Sequence, residues 1–320
     1  MNKTDLSDRQ KVWCNMETKT NLKTILLALL VMALWGSLFP FIKIGYDAFN
    51  IDSSSIPDII MFAGCRFLIC GIVLIVLSSV RKEKLGENKG KAISLILIGG
   101  LFGIILHYTF TYIGIGMTDS SKTALIKQLA PLLYACLAFL FIKSEKFSFY
   151  KIIGAIVGFL GIIAINYESA QISFTLGTTL IMLASVCSVI SSVITQISVR
   201  DTSPFWNTAI SQFTGGIILV IAAFIMGADM LEITLKSILV FVYICTASII
   251  AYVLYGYLLR VTSVSTLFII KFTEPLFACV FSAMLLGENI FKIQYLLAFI
   301  FISAGIVLGN KTKDKKGEQK

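Results

Sequence analysis

Long apolar segments separated by short polar ones make up most of this 320-residue chain. Ten of these segments have about the 17–25 residues that an α-helix needs to cross the hydrocarbon core of a bilayer. They lie near residues 23–45, 57–79, 93–115, 123–142, 150–166, 176–199, 204–226, 237–259, 264–286 and 292–309. The pattern therefore predicts an all-α integral membrane protein with ten transmembrane helices joined by short loops.

Composition supports this prediction and excludes several classes of protein. Charged residues make up only 14% of the chain, whereas soluble domains carry about 25%. The seven cysteines form no CxxC pair or Cys/His cluster, so we interpret them as packing residues and expect no metal and no cofactor. The sequence contains no Walker A loop, HExxH motif or nucleophile elbow. We therefore expect neither an ATP-driven pump nor an enzyme.

The distribution of basic residues predicts the orientation in the membrane. If the N-terminus is cytoplasmic, 20 of the 27 lysines and arginines flank inner helix ends, three flank outer ends and four lie within spans. This bias follows the positive-inside rule. It predicts a multi-pass plasma-membrane protein with cytoplasmic tails at residues 1–22 and 311–320. The net charge of +9 then reflects topology, so we expect a lipid bilayer and no nucleic acid as partner.

An internal repeat relates the two halves of the chain. Shifting the sequence by 144 residues places Leu106–Asn166 on Ile250–Asn310 without a gap, with nine identities in 61 positions. The identities include the pairs Tyr108/Tyr252, Ser121/Ser265, Lys127/Lys271 and Pro131/Pro275. Because each half holds five spans, the second half must enter the membrane in the opposite orientation. The sequence thus predicts two inverted five-helix repeats, at residues 23–168 and 176–310.

Two similar stretches combine a cation with a proline inside apolar segments. They are Lys127-Gln128-Leu129-Ala130-Pro131 and Lys271-Phe272-Thr273-Glu274-Pro275. A charge within the bilayer costs from about 2.5 to more than 10 kcal/mol. A proline inside a helix frees the carbonyl four residues earlier, which in both stretches belongs to the lysine. We therefore predict helix breaks at Pro131 and Pro275 beside a polar site inside the membrane.

Several motifs resemble those of the drug/metabolite transporter superfamily, in particular its EamA-type ten-helix transporters. The first span carries Ala33-Leu34-Trp35-Gly36-Ser37, and the ninth carries Thr273-Glu274-Pro275-Leu276-Phe277-Ala278. An acidic residue follows the fourth and the ninth spans, in Lys143-Ser144-Glu145 and Leu286-Gly287-Glu288. The first of these two copies departs from the family pattern and lies one residue out of register. The resemblance covers about residues 23–310.

The resemblance implies a secondary carrier that moves a small-molecule substrate through a central cavity between its halves, often as an exporter. It does not define the substrate, since the superfamily handles amino acids, nucleotide derivatives and other metabolites. The small four-helix relatives use a glutamate in the first helix to exchange protons for drugs. The first span of this chain has no glutamate, which disfavours multidrug export.

Eight in-span residues are candidates for the site. We expect a set of cations and aromatic side chains to bind the substrate, namely Arg66, Lys127, Lys271, Trp35, Tyr108 and Tyr252. Glu274 and His107 are candidates for proton coupling. Structural alternatives accompany these roles. A salt bridge between Glu274 and Arg66 or Lys271 would lock helices together, and His107 and the aromatic residues are also typical of helix packing.

The leading hypothesis is a transporter that exports a small anionic metabolite, such as an amino acid or organic acid, by alternating access. A membrane sensor or assembly subunit without transport activity is the alternative from another class, and exchange of a cationic drug or amine for protons is an alternative substrate class.

Gly154-x-x-x-Gly158 is typical of close helix contacts. We interpret it as packing within the chain, and the sequence is compatible with a monomer or a homodimer.

Overall fold

The computed structural model describes residues 22–130, 133, 149–165, 167–168, 171–172, 174–199, 201–261, 267, 270–271 and 273–309. These residues form ten helical segments in chain order. They are α1 Leu22–Ala48, α2 Ile56–Val80, α3 Lys89–Gly116, α4 Ser120–Ile126, α5 Phe149–Ile165, α6 Leu176–Ser198, α7 Pro204–Ile225, α8 Leu235–Val261, α9 Thr273–Leu286 and α10 Ile293–Gly309. Two strands of two residues each, β1 Tyr167–Glu168 and β2 Gln171–Ile172, pair antiparallel between α5 and α6.

The predicted all-α architecture with ten helices is confirmed. In the described part of the chain, α1, α2, α3, α6, α7 and α8 are long and apolar enough to cross a membrane, and α9 and α10 are shorter apolar helices. Local chemistry explains several helix starts. The Thr175 hydroxyl accepts the Thr178 N–H at the start of α6, and Ser203 caps α7 directly before Pro204. Both are standard N-terminal signals.

The helix ends define two faces of the bundle. The near face holds the start of α1 and the loops that join α2 to α3 and α6 to α7. There Ser203 N–H donates to the Lys84 carbonyl at 3.0 Å, and Trp206 Nε1 donates to the Glu83 carbonyl at 2.9 Å. The far face holds the end of α1 and the loops that join α3 to α4 and α7 to α8. There Asp229 N–H donates to Asp58 Oδ1 at 2.8 Å.

Two pairs of helices that occupy corresponding positions in the two halves pack antiparallel. In the α2–α7 pair, Gly64 lies against Val220 and Gly71 lies against Phe213. In the α5–α10 pair, a Cβ at Gly305 would lie only 2.5 Å from the Gly154 carbonyl and 2.5 Å from the Gly158 nitrogen. The predicted packing of the Gly154-x-x-x-Gly158 motif within the chain is thus confirmed.

A π-helical turn interrupts α3 at Leu101–Leu106. The His107 N–H donates to the carbonyl of Phe102, five residues earlier. Such turns shift the following side chains around the helix axis and often occur at functional sites. The apolar pattern of the third span gave no indication of this turn, and it directly precedes His107 and Tyr108.

The two lysine–proline stretches differ in local structure. Helix α4 ends at Ile126, and the Lys127 carbonyl accepts the Ala130 N–H at 3.1 Å. Pro131 lies outside the described residues. In the second half, Ile270 and Lys271 are helical, residue 272 lies outside the described residues, and Pro275 is the third described residue of α9. The helix-breaking roles of both prolines remain predictions.

Candidate functional site

A cavity of about 220 Å³ lies between the helices. Helices α1, α2, α3, α6, α7, α8 and α9 and the segment that follows α4 contribute to its wall. The lining includes all eight candidate residues, namely Trp35, Arg66, His107, Tyr108, Lys127, Tyr252, Lys271 and Glu274. It extends to Val199 and Pro204 at the near face. Residues that lie far apart in the sequence are therefore brought to one compartment.

Arg66 is fully buried and joins three helices. One terminal nitrogen donates to the Tyr112 hydroxyl and the other donates to Ser248 Oγ at 2.6 Å. The guanidinium carbon lies 4.9 Å from the Phe67 ring centroid and 5.6 Å from that of Tyr108. A guanidinium stacked on aromatic rings and held by hydroxyls keeps its charge without a carboxylate partner. Its Nε has no hydrogen-bond partner among the described residues.

Lys127 and His107 form a second polar unit. Lys127 Nζ lies 3.3 Å from His107 Nε2, and His107 Nδ1 lies 2.8 Å from the Ala184 carbonyl of α6. This arrangement fits the neutral imidazole in which Nδ1–H donates to the carbonyl and Nε2 accepts from the ammonium. The Lys127 ammonium also lies 5.3 Å from the Phe39 ring centroid. His107 therefore bridges α3, α6 and Lys127.

Lys271, Trp35 and Glu274 line the α1–α9 side of the cavity. Lys271 Nζ lies 5.7 Å from the Trp35 ring centroid, and Trp35 packs on Tyr252 and Tyr255 at 5.8 and 4.8 Å. Glu274 is 6% exposed, and its Oε2 has no hydrogen-bond partner in the described structure. Among the described residues, neither Arg66 nor Lys271 forms an ion pair with Glu274. This geometry does not support the salt-bridge alternative.

Gly36 explains how α1 and α9 approach each other so closely beside this wall. A Cβ at Gly36 would lie 2.8 Å from Phe277 Cβ and 2.9 Å from both the Ala278 nitrogen and the Glu274 carbonyl. Any larger residue would therefore separate the two helices. The glycine of the Ala33-Leu34-Trp35-Gly36-Ser37 motif thus positions Trp35 next to the first turn of α9.

Sequence reasoning missed a polar wall formed by α6 and α7. Its members are Ser188, Ser191, Ser192, Thr195 and Gln196 of α6 and Asn207, Thr208, Ser211 and Gln212 of α7. They recur at helical spacings of three and four residues, a pattern that places polar residues on one face. That periodicity could have identified the wall, since uncharged polar residues are otherwise unremarkable in membrane helices.

Packing contacts fix the relative heights of the cavity residues. A Cβ at Gly100 of α3 would lie 3.1 Å from Ser211 Cβ of α7, and one at Gly215 of α7 would lie 2.6 Å from Ile104 of α3. The two helices thus run in the same direction with a constant offset. On this register Tyr108 lies seven residues beyond the level of Gln212, or about 10 Å nearer the far face. We call the deeper layer, formed by Arg66, His107, Tyr108 and Lys127, the cavity floor.

At the far face, Glu288 holds the start of α4. Its carboxylate accepts the N–H groups of Ser120 and Ser121 at 2.9 and 3.0 Å and the Ser121 hydroxyl at 2.6 Å. Lys43 Nζ lies 3.9 Å from the same carboxylate and forms an ion pair with it. A carboxylate at a helix N-terminus is favourable. We call these four residues the far-face clasp.

The fold and the cavity define a polytopic membrane protein with a charged compartment between its helices. The model of the EamA-like transporter family matches residues 22–167 and again residues 175–310. The chain belongs to the EamA-like transporter family, as its resemblance to the drug/metabolite transporter superfamily predicted. The tandem match fits a ten-helix layout with two repeats.

Similar proteins carry the same class of description. The chain is 28% identical over 280 residues to the uncharacterized inner membrane transporter YedA of Escherichia coli (strain K12), which covers 86% of this chain and 87% of that protein. It is 22% identical over 263 residues to the uncharacterized transporter YdfC of Bacillus subtilis (strain 168), covering 81% and 82%. One crystal structure superposes with a TM-score of 0.64 at 16% identity, over 90% of this chain and 97% of that one, and thus shares its fold.

Proposed function

We propose that this protein is a secondary transporter that exports a small metabolite bearing an anionic group, such as an amino acid or an organic acid. The observation that carries the proposal is the charge of the cavity. Three cationic side chains, Arg66, Lys127 and Lys271, share the described lining with a single carboxylate, that of Glu274. Cations in a compartment of low dielectric attract an anion far more strongly than they would in water.

Alternating access between the two repeats supplies the mechanism. The antiparallel packing of corresponding helices supports an inverted relation between the halves, which lets a carrier open to either side in turn. The far-face clasp holds α4 against the segment after α9, whereas the cavity lining reaches Val199 and Pro204 at the near face. If the near face is cytoplasmic, as the basic residues predict, this state receives substrate from the cytoplasm. The inner membrane named for YedA supports a plasma-membrane location.

Lysine substitutions in reconstituted vesicles test the proposal. Purified protein is screened by thermal shift against amino acids and organic acids, and uptake of the compounds that stabilise it is measured in proteoliposomes. Lys127→Ala and Lys271→Ala should each abolish uptake at near-normal protein levels, since each removes a cation from the cavity. Lys236→Ala, at the start of α8 and exposed to solvent, is the control and should transport normally.

Two results would contradict the proposal. Absence of flux for every stabilising compound in vesicles containing the protein alone would favour the sensor or assembly subunit. Loss of the folded protein in the lysine variants, with transport intact per folded molecule, would instead give the lysines a structural role. Flux and the amount of folded protein are measured on the same preparations, so a loss of transport can be distinguished from a loss of folding.

One observation favours a second candidate, exchange of a cationic amine for protons. The Glu274 carboxylate lines the cavity with an unpartnered oxygen, on the side where Trp35 and Tyr255 lie. Aromatic rings beside a carboxylate form a site that suits an organic cation. Glu274→Gln would abolish pH-driven uptake of an amine such as tetraethylammonium if this candidate is correct. Anion uptake that survives the same substitution would favour the leading proposal.

A further inference from the structure

Gln212 of α7 is a buried side chain without partners in the wall of the cavity. It is 0% exposed, and within the described structure neither its Nε2 nor its Oε1 has a hydrogen-bond partner. Roughly 90% or more of the buried polar groups in native proteins have a hydrogen-bond partner. A buried group without one lowers the stability of the fold by about 1–3 kcal/mol. A carboxamide that faces a cavity with both ends unpaired is suited to a ligand that both donates and accepts.

Three serine hydroxyls of the polar wall already donate to backbone carbonyls. Ser191 Oγ donates to the Gly99 carbonyl at 2.9 Å, and Ser211 Oγ donates to the Asn207 carbonyl at 2.7 Å. Ser192 likewise donates to the Ser188 carbonyl at 2.7 Å. The donor hydrogens of these serines are therefore used within the protein, whereas both ends of the Gln212 carboxamide lack a partner in the described structure.

Gln212 lies at a defined distance from the cationic cavity floor. The α3–α7 register puts it about 10 Å nearer the near face than Tyr108. A ligand whose anion contacts Lys127 and Arg66 would therefore reach Gln212 only with its opposite end. Asn207, one and a half turns closer to the near face, adds an unpaired Oδ1 that also accepts a hydrogen bond.

We propose that Gln212 determines specificity for the uncharged polar end of the substrate, and that the substrate is an acid whose other end carries a carboxamide or urea. Such a group forms two reciprocal hydrogen bonds with the Gln212 carboxamide, one in each direction. This inference rests on the proposed function, because it takes the anion at the cavity floor as given. The inference adds two requirements on the substrate, namely its length and the chemistry of the end opposite the anion.

Matched probes that differ in one group test the proposal. Adipamate carries a carboxylate and a terminal carboxamide, and 6-oxoheptanoate replaces only the amide nitrogen by a methyl group. Affinities are measured by titration calorimetry on the purified full-length protein. Wild-type protein should bind adipamate about tenfold more tightly, the effect of the one hydrogen bond that its amide N–H donates to Gln212 Oε1. Gln212→Met, which keeps the length of the side chain, should abolish the preference. It should weaken adipamate more than 6-oxoheptanoate, because adipamate loses both hydrogen bonds and the ketone loses only the one it accepts from Nε2.

The controls separate this inference from the proposed function. Ser79→Ala, on α2 and outside the cavity lining, should keep the preference, since its hydroxyl donates to the Ile75 carbonyl within its own helix. If wild-type protein binds both probes equally while Lys127→Gln weakens both, the anion site stands and the role of Gln212 is wrong. A preference that survives Gln212→Met overturns it as well. If neither probe binds, the anionic substrate class is wrong, and the inference falls with it.

Discussion

A hydrogen bond joins the phenolic hydroxyls of Tyr108 and Tyr252. The two tyrosines lie 144 residues apart, at equivalent positions of the two repeats. One tyrosine comes from α3 and the other from α8, so the contact joins the two halves at the cavity wall. The weak sequence repeat thus acquires a physical counterpart in one shared hydrogen bond.

The tyrosine pair should behave as a coupled unit in a double-mutant cycle. Tyr108→Phe leaves the half-buried Tyr252 hydroxyl without its partner, and Tyr252→Phe does the reverse. Each should lower the free energy of unfolding in detergent by about 1–3 kcal/mol. The double variant should be less destabilised than the sum of the two. Tyr257→Phe, whose residue is 53% exposed, should be neutral, and strict additivity would show that the hydroxyls do not interact.

Arg66 should not tolerate lysine. Its two terminal nitrogens donate to Tyr112 and Ser248 at once, a geometry that a single ammonium group does not reproduce. Arg66→Lys should lower the melting temperature, since one unpaired buried hydroxyl already costs about 1–3 kcal/mol. It should also lower the transport rate by more than about tenfold, because Arg66 lines the cavity. The control is Arg81→Lys at the exposed ion pair with Glu83, which should change stability by less than about 0.5 kcal/mol. Full activity of Arg66→Lys would show that the simultaneous hydrogen bonds to Tyr112 and Ser248 are not required for transport.

The sequence predicts the helices well because the bilayer leaves the backbone few alternatives. Inside hydrocarbon every N–H and carbonyl must be satisfied within the segment, so the length of an apolar run largely decides whether it is a helix. In-span charges such as Arg66 and Lys127 are equally visible, because their burial is costly enough to demand a polar compartment. Candidates for the cavity lining could thus be named from their chemistry alone.

What the sequence left undetermined depends on contacts between distant segments. The π-helical turn before His107 has no local signal in the apolar composition of the third span. The pairing of Glu288 with Ser120 spans 168 residues and leaves no local pattern. The proposed role of Gln212 could not be predicted from the sequence, because an uncharged amide in a membrane helix becomes informative only when its burial and lack of partners are known.

Gly36 should be intolerant of even one methyl group. In Gly36→Ala the new Cβ would lie 2.8–2.9 Å from Phe277 Cβ and from the α9 backbone, so α1 and α9 must separate. We expect a loss of about 1–3 kcal/mol in stability and reduced transport, because Trp35 and Glu274 move apart. Gly90→Ala is a matched control near the start of α3, where the nearest atom to the new Cβ is 3.8 Å away, and its melting temperature should be unchanged or higher. Equal behaviour of the two variants would remove the role assigned to Gly36.

The far-face clasp should control access to the cavity from the far side. Glu288→Ala removes the acceptor for two N–H groups and one hydroxyl at the start of α4. Hydrogen bonds to a charged acceptor contribute about 1.5–3 kcal/mol each, so loss of even one should shift the closed state toward opening about tenfold or more. The readout is maleimide labelling from the far side of Ile42→Cys, a cavity position that is only 3% exposed, with the native cysteines replaced. Asp52→Asn, in an exposed far-face loop, should label as slowly as its parent. Unchanged labelling in Glu288→Ala would mean that other contacts close this face.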